Sequence, residues 1–174
     1  MSAATRWWDA PLHTLEAGQW EALCDGCGKC CLHKLEDEDT GRIYPTNVVC
    51  RMIDPATARC SDYPNRKRHV PDCLTLSRHK IDEIAWLPLT CAYRLRADGL
   101  PLPSWHYLES GDHAAVHRAG QSIVGWTVSE TIAGPLEQHL VEREVGGAAY
   151  RRCGARLAVA ARAPRCRAAV PAGV

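Results

Sequence analysis

The sequence predicts a small, irregular α+β domain, rich in cysteine and stabilised by metal, with short helices and few strands. Three observations carry that expectation. Ten cysteines occur in 174 residues. The stretch 24–72 is filled with turn formers and holds no sustained period of 3.6 or 2.0 residues. Elsewhere the periodic segments are short and end at proline or glycine. The length suits one ordinary domain with its own core.

Taken in order, residues 14–23 read as a short helix, with Thr14 at its N-cap and Leu15, Trp20 and Leu23 on one face. It leads directly into Cys24. From there to Asp72 the chain runs through Asp25-Gly26, Gly28, Asp39-Thr40-Gly41, Pro45, Asn47, Asp54-Pro55 and Tyr63-Pro64-Asn65, so something other than an apolar core has to order it. Residues 77–87 carry Ile81, Ile84 and Ala85 at helical spacing and stop at Pro88. A second short helix is expected over 90–98, from a capping Thr90 to Gly99. Residues 122–128, β-branched and aromatic, suit a strand, and 135–144 suit a helix that starts at Pro135.

Residues 145–174 hold six arginines and no acid, against 15 basic and 20 acidic residues in the rest. This Ala/Arg/Gly tail lacks the apolar pattern that offsets chain entropy and is expected to be mostly disordered. The division is therefore a cysteine-rich metal-binding domain over 1–144 and a basic tail over 145–174.

No apolar stretch approaches the roughly 18 residues of a membrane span, and the N-terminus has no secretory apolar region. The chain is therefore expected in the cytoplasm, where thiols stay reduced and a cysteine-dense chain more often binds metal than forms disulfides. The basic run 66–69 is too short, on an acidic body, to imply nucleic-acid binding. There is no phosphate-binding GxxxxGK[ST] loop, no GxGxxG after a strand and no HExxH.

The chemistry concentrates in Cys24-x-x-Cys27-x-x-Cys30-Cys31, followed by Cys50, Cys60, Cys73 and Cys91. A CxxC step brings two sulfurs to one ion because the turn between them folds back, and Gly26 and Gly28 make such turns sterically easy. The adjacent Cys30 and Cys31 are expected to diverge and serve different metal atoms, which favours a polynuclear centre or two neighbouring sites. His33 is an additional candidate ligand. Lys29, Lys34, Arg51, Arg66 and Arg94 lie close in sequence to the cysteines and are expected to offset the charge of the thiolates. His106, His113 and His117 have no spacing that demands a second metal site. Cys153 and Cys166 lie in the tail, outside the expected ligand set.

The run Cys24-Asp25-Gly26-Cys27-Gly28-Lys29-Cys30-Cys31-Leu32-His33-Lys34 resembles the YcgN/YkgJ type of bacterial proteins, zinc- or iron-chelating domains with a CxxCxxCC core. Further blocks agree in order: Thr46-Asn47-Val48-Val49-Cys50-Arg51, Pro71-Asp72-Cys73, Trp86-Leu87-Pro88-Leu89-Thr90-Cys91-Ala92-Tyr93-Arg94 and Leu102-Pro103-Ser104-Trp105-His106. The resemblance implies bound zinc or iron and a family label of iron-sulfur oxidoreductase without a substrate.

The expected function is metal binding through the eight body cysteines, at a polynuclear zinc or iron centre, an iron-sulfur cluster included. An iron-sulfur oxidoreductase and a metallochaperone or metal store are the alternatives. Metal ions are the only partners the sequence implies. A standard ferredoxin is not expected, because its run continues with x3-Cys-Pro where this one continues at once with Cys31.

Overall fold

The computed structural model describes residues 6–37, 39, 43–80, 87–141 and 166–168. It is a mixed α+β domain of short helices around small sheets. The helices are α1 (Ala17–Ala22), α2 (Arg66–His69), α3 (Ala92–Ala97), α4 (Tyr107–Ser110) and α5 (Ala115–Arg118), with 3-10 turns at Trp7–Asp9, Leu12–Thr14, Lys29–Cys31 and Leu136–His139. The strands are β1 (Leu32–Asp37), β2 (Ile43–Val49), β3 (Ile53–Asp54), β4 (Arg59–Cys60), β5 (Val128–Ser129) and β6 (Cys166–Ala168).

β1 and β2 form an antiparallel hairpin inside the segment that the sequence assigned to loops, with Leu32 opposite Val49 and Leu35 opposite Tyr44. The register shifts between Leu32 and Lys34, and Lys34 faces Pro45. The bulge breaks the two-residue alternation and accommodates a proline that has no N–H for the ladder. β5 pairs in parallel with β2, and β6 pairs antiparallel with β1, giving the order β5-β2-β1-β6. Apart from β6, the tail lies outside the described residues, as does the disorder expected of it. β3 and β4 make a separate tight hairpin in which Ile53 faces Cys60.

The helix expected over 14–23 begins later. Thr14 Oγ1 donates to Pro11 O at 2.7 Å and closes a 3-10 turn, while α1 is capped by Glu16, whose N–H donates to Gln19 Oε1 at 2.9 Å. In α3, Cys91 and not Thr90 takes the cap position, and Gly99 follows the C-terminal end as expected. Residues 77–80 form a turn rather than the start of a helix, and 81–86 lie outside the described residues. The strand expected over 122–128 is mostly a turn: Trp126 Nε1 donates to Ser122 O at 2.7 Å and Thr127 Oγ1 to Ile123 O at 3.1 Å, so side chains hold the backbone in a loop. Only Val128 and Ser129 pair. Downstream of Pro135 there is a 3-10 turn, Leu136–His139, and then an extended Leu140 bridged to Thr46, instead of a longer helix.

Two separate apolar clusters fill the interior. The first joins Leu12, Leu15, Trp20, Leu23, Leu87, Ala92, Tyr93 and Leu102, with Tyr93 Oη donating to Trp20 O at 2.8 Å. The second joins Leu32, Val49, Ile53, Ala58 and Ile123. Among the described residues no helix is long and apolar enough to cross a membrane.

Candidate metal centre

The CxxCxxCC run leaves α1 through two left-handed glycines, Gly26 at φ +73° and Gly28 at φ +76°. The first turn aims the Gly26 N–H at Cys24 Sγ, 3.4 Å away. Asp25 Oδ1 accepts the Cys27 N–H at 3.0 Å, and Ile123 N–H donates to Cys27 O at 2.9 Å, which pins the loop to the second core. After Gly28 the chain closes a 3-10 turn, Lys29–Cys31, that enters β1. Inside this turn Cys30 Sγ and Cys31 Sγ lie 3.8 Å apart. The expectation that these two side chains diverge is thus corrected: a tight 3-10 turn holds both thiols on one side.

All eight body cysteines are free thiols. Their surroundings sort them into two neighbourhoods. Cys24, Cys27, Cys30 and Cys91 share one electrostatic environment with the buried Asp25. Burial, Cys30 and Asp25 push the Cys24 thiol up even though the residue retains exposed surface. Burial and then Asp25 hold the Cys27 thiol well above its usual range. Burial raises Cys91 to about 12, opposed by the backbone N–H groups of Arg94 and Tyr93 at the start of α3. In the second neighbourhood, Cys31 is raised by its hydrogen bond to Cys30 and feels Cys50. Burial raises both Cys50 and Cys73; Cys50 feels Cys73, and Cys73 feels Cys60 and, more weakly, Cys30 of the first neighbourhood. The junction behaves as a pair: the hydrogen bond from Cys31 draws Cys30 down to about 7, with Lys34 adding to the effect.

The five candidate cations differ in what they reach. Lys34 Nζ donates to Cys30 O at 3.3 Å and Leu32 O at 2.8 Å, and its charge favours the thiolates of Cys30 and Cys31. Arg66 acts likewise on Cys73, and Arg51 on Cys50. Lys29 is buried, and its ammonium donates to Thr90 Oγ1 at 3.3 Å and Gln121 Oε1 at 3.2 Å. Arg94 turns its guanidinium to Leu87 O at 2.8 Å and reaches Cys91 through its backbone N–H. His33 presents Nε2 to Glu130 Oε2 at 2.5 Å, so metal ligation through that nitrogen requires this pair to open. His106, His113 and His117 do not converge: His106 and His113 both stack against Tyr107, and His106 is committed to Leu23 O and the Leu108 N–H.

Two acids were not among the residues the sequence singled out. Asp25 stands inside the CxxC step, a position that could have flagged it. Glu130, far from the cysteines in sequence, accepts from the Arg51 N–H at 3.0 Å and from Arg51 Nη1 at 3.2 Å beside Cys50, and no sequence signal pointed to it.

Among the described residues no three side chains of His, Cys, Asp or Glu converge tightly enough to hold one ion. The donor chemistry nonetheless suits zinc or iron, since soft thiolates are the ligands that both metals take at sulfur-rich sites.

Residues 23–92 match the family model CxxCxxCC, described as "Putative zinc- or iron-chelating domain". A UPF0260 protein of Rhizorhabdus wittichii is 55% identical over 139 residues, covering 80% of this chain and 95% of its own. One from Gluconobacter oxydans is 52% identical over 134 residues, covering 77% and 82%. A third, from Rhodobacter capsulatus, is 55% identical over 124 residues, covering 71% and 83%. No solved structure matches. With identity of this order over most of both lengths, the chain belongs to the UPF0260 family, in keeping with its CxxCxxCC run.

Proposed function

We propose that this protein binds zinc or iron through Cys24, Cys27, Cys30, Cys31, Cys50, Cys60, Cys73 and Cys91, and that the metal orders the loops between the first and last of them. The observation that carries this reading is the 3.8 Å contact of Cys30 Sγ and Cys31 Sγ, which follows a CxxC turn in a chain with eight free body thiols. Eight thiols so disposed exceed what small apolar core residues would explain. Lys34, Arg51 and Arg66 supply positive charge where ligating thiolates need it. Residues 1–144 form the metal-binding unit, with 145–174 as a basic appendage. The cytoplasm, which keeps thiols reduced, is the compartment this chemistry suits.

Elemental analysis with an ultraviolet-visible spectrum, on full-length protein purified without oxygen, tests the reading. Iron with sulfide and a broad band near about 400 nm would identify an iron-sulfur centre and favour a redox role. Stoichiometric zinc in colourless protein would favour a structural or metal-handling role. Protein free of both metals, and unable to take up either one, would refute the reading.

A further inference from the structure

Resting on that reading, we infer that the eight thiols are divided between two four-thiol sites, each for one thiophilic divalent cation, rather than pooled in one cluster. The first site comprises Cys24, Cys27, Cys30 and Cys91. The second comprises Cys31, Cys50, Cys60 and Cys73.

Backbone connections tie three members of the second set, Cys31, Cys50 and Cys60, to one another. Cys50 N–H donates to Cys31 O at 3.1 Å, and Ile53 N–H donates to Cys50 O at 2.9 Å. Ile53 in turn pairs with Cys60 across the β3–β4 hairpin. The first set is carried by the CxxC turn after α1 and by the cap residue of α3.

The apolar interior divides five of the thiols in the same way. Cys30 and Cys91 pack against the first core, whereas Cys31, Cys50 and Cys60 pack against the second. Cys30 and Cys31, adjacent in the chain, thus pack against different cores.

Cations stand beside both sets, with Lys34 at the Cys30–Cys31 junction. A divalent ion bound by four thiolates retains two negative charges, which a buried site has to offset. Lys29 is 5% exposed, and its ammonium hydrogen-bonds to the neutral side chains of Thr90, next to Cys91, and Gln121. Its charge suits the first site, where Asp25 adds a further negative group. Arg51 and Arg66 stand beside Cys50 and Cys73 of the second.

Cadmium titration of the reduced full chain, with Cys153→Ser and Cys166→Ser to remove the tail thiols, distinguishes the arrangements by 113Cd nuclear magnetic resonance. Two ions per chain are expected, with two resonances and no cadmium–cadmium splitting, because no thiolate bridges them. Cys60→Ser should shift or abolish one resonance and leave the other in place; Cys91→Ser should do the converse. If Cys91→Ser fails to fold, the unsubstituted thiol set and Cys60→Ser still decide the matter. More than two ions, split resonances, or displacement of both signals by Cys60→Ser would overturn the division while leaving metal binding intact. Absence of cadmium uptake would overturn the underlying metal-binding reading as well.

Discussion

Replacing Gly28 by alanine should destabilise the protein through two effects that the structure separates. Gly28 sits at φ +76° and ψ −4°, immediately before the 3-10 turn that carries Cys30 and Cys31. A side chain in the left-handed region costs about 1–2 kcal/mol. In addition, a Cβ there would stand 2.8 Å from both Cδ1 and Cγ1 of Ile123 and 3.3 Å from Ala58 Cβ. Ile123 is completely buried and has little room to yield. Overpacking of this kind costs about 1–3 kcal/mol, so the sum is about 2–5 kcal/mol. Urea denaturation at fixed metal concentration measures it. Gly18→Ala, with nothing within 4 Å of the new Cβ in α1, is the control and should stabilise by about 0.5–1 kcal/mol. Ile123→Ala removes both clashing atoms, so the double variant Gly28→Ala/Ile123→Ala should lose less stability than the two single losses added together. A Gly28→Ala loss below about 0.5 kcal/mol, or strict additivity with Ile123→Ala, would refute the packing argument.

Three further outcomes are expected. Tyr93→Phe removes the buried hydrogen bond to Trp20 O and should cost about 0.5–1.5 kcal/mol in the same denaturation assay, without altering the number of metal ions bound. His106 is fully buried and held neutral, with burial driving its pKa below the usual 6.5; Nε2 donates to Leu23 O, and Nδ1 accepts the Leu108 N–H. Protonation favours the unfolded chain, so this contribution is intact above the unfolded pKa and declines as pH falls through it; His106→Gln should flatten that part of the pH–stability profile, and an unchanged slope would contradict the assignment. Chelation of the bound metal should sensitise the segment between Cys24 and Cys91 to proteolysis and reduce its circular dichroism signal, and indifference of both would remove the ordering role from the metal.

What could be read from the sequence differs by region for physical reasons. The CxxC turns were legible because glycine spacing dictates them, and the C-terminal end of α3 because Gly99 follows it at φ +71°. The β1–β2 hairpin was not. β1 contains Lys34, Glu36 and Asp37, its burial does not alternate, and Pro45 in β2 reads as a breaker until the bulge opposite it is seen. Residues 122–128 misled in the opposite sense: their β-branched content serves to insert Ile123 beneath Gly28, and Ser122, Trp126 and Thr127 close a turn. At the candidate centre, residue types were legible, but neighbourhoods were not. Only the tertiary fold brings Cys91 to the CxxC turn and leaves Lys29 facing Thr90.

The β1–β2 hairpin also bears on the order in which the molecule assembles. Its partners are close in sequence, whereas the parallel pairing of β2 with β5 and the arrival of Cys91 beside Cys24 both close long stretches of chain. Loop-closure entropy makes the short-range pairing form sooner. The hairpin that joins Cys31 to Cys50, followed at once by the β3–β4 turn bearing Cys60, therefore orders these three cysteines while Cys91 is still distant. On a growing chain, this segment is thus organised before the domain is complete, and the rest of the polypeptide then folds onto it.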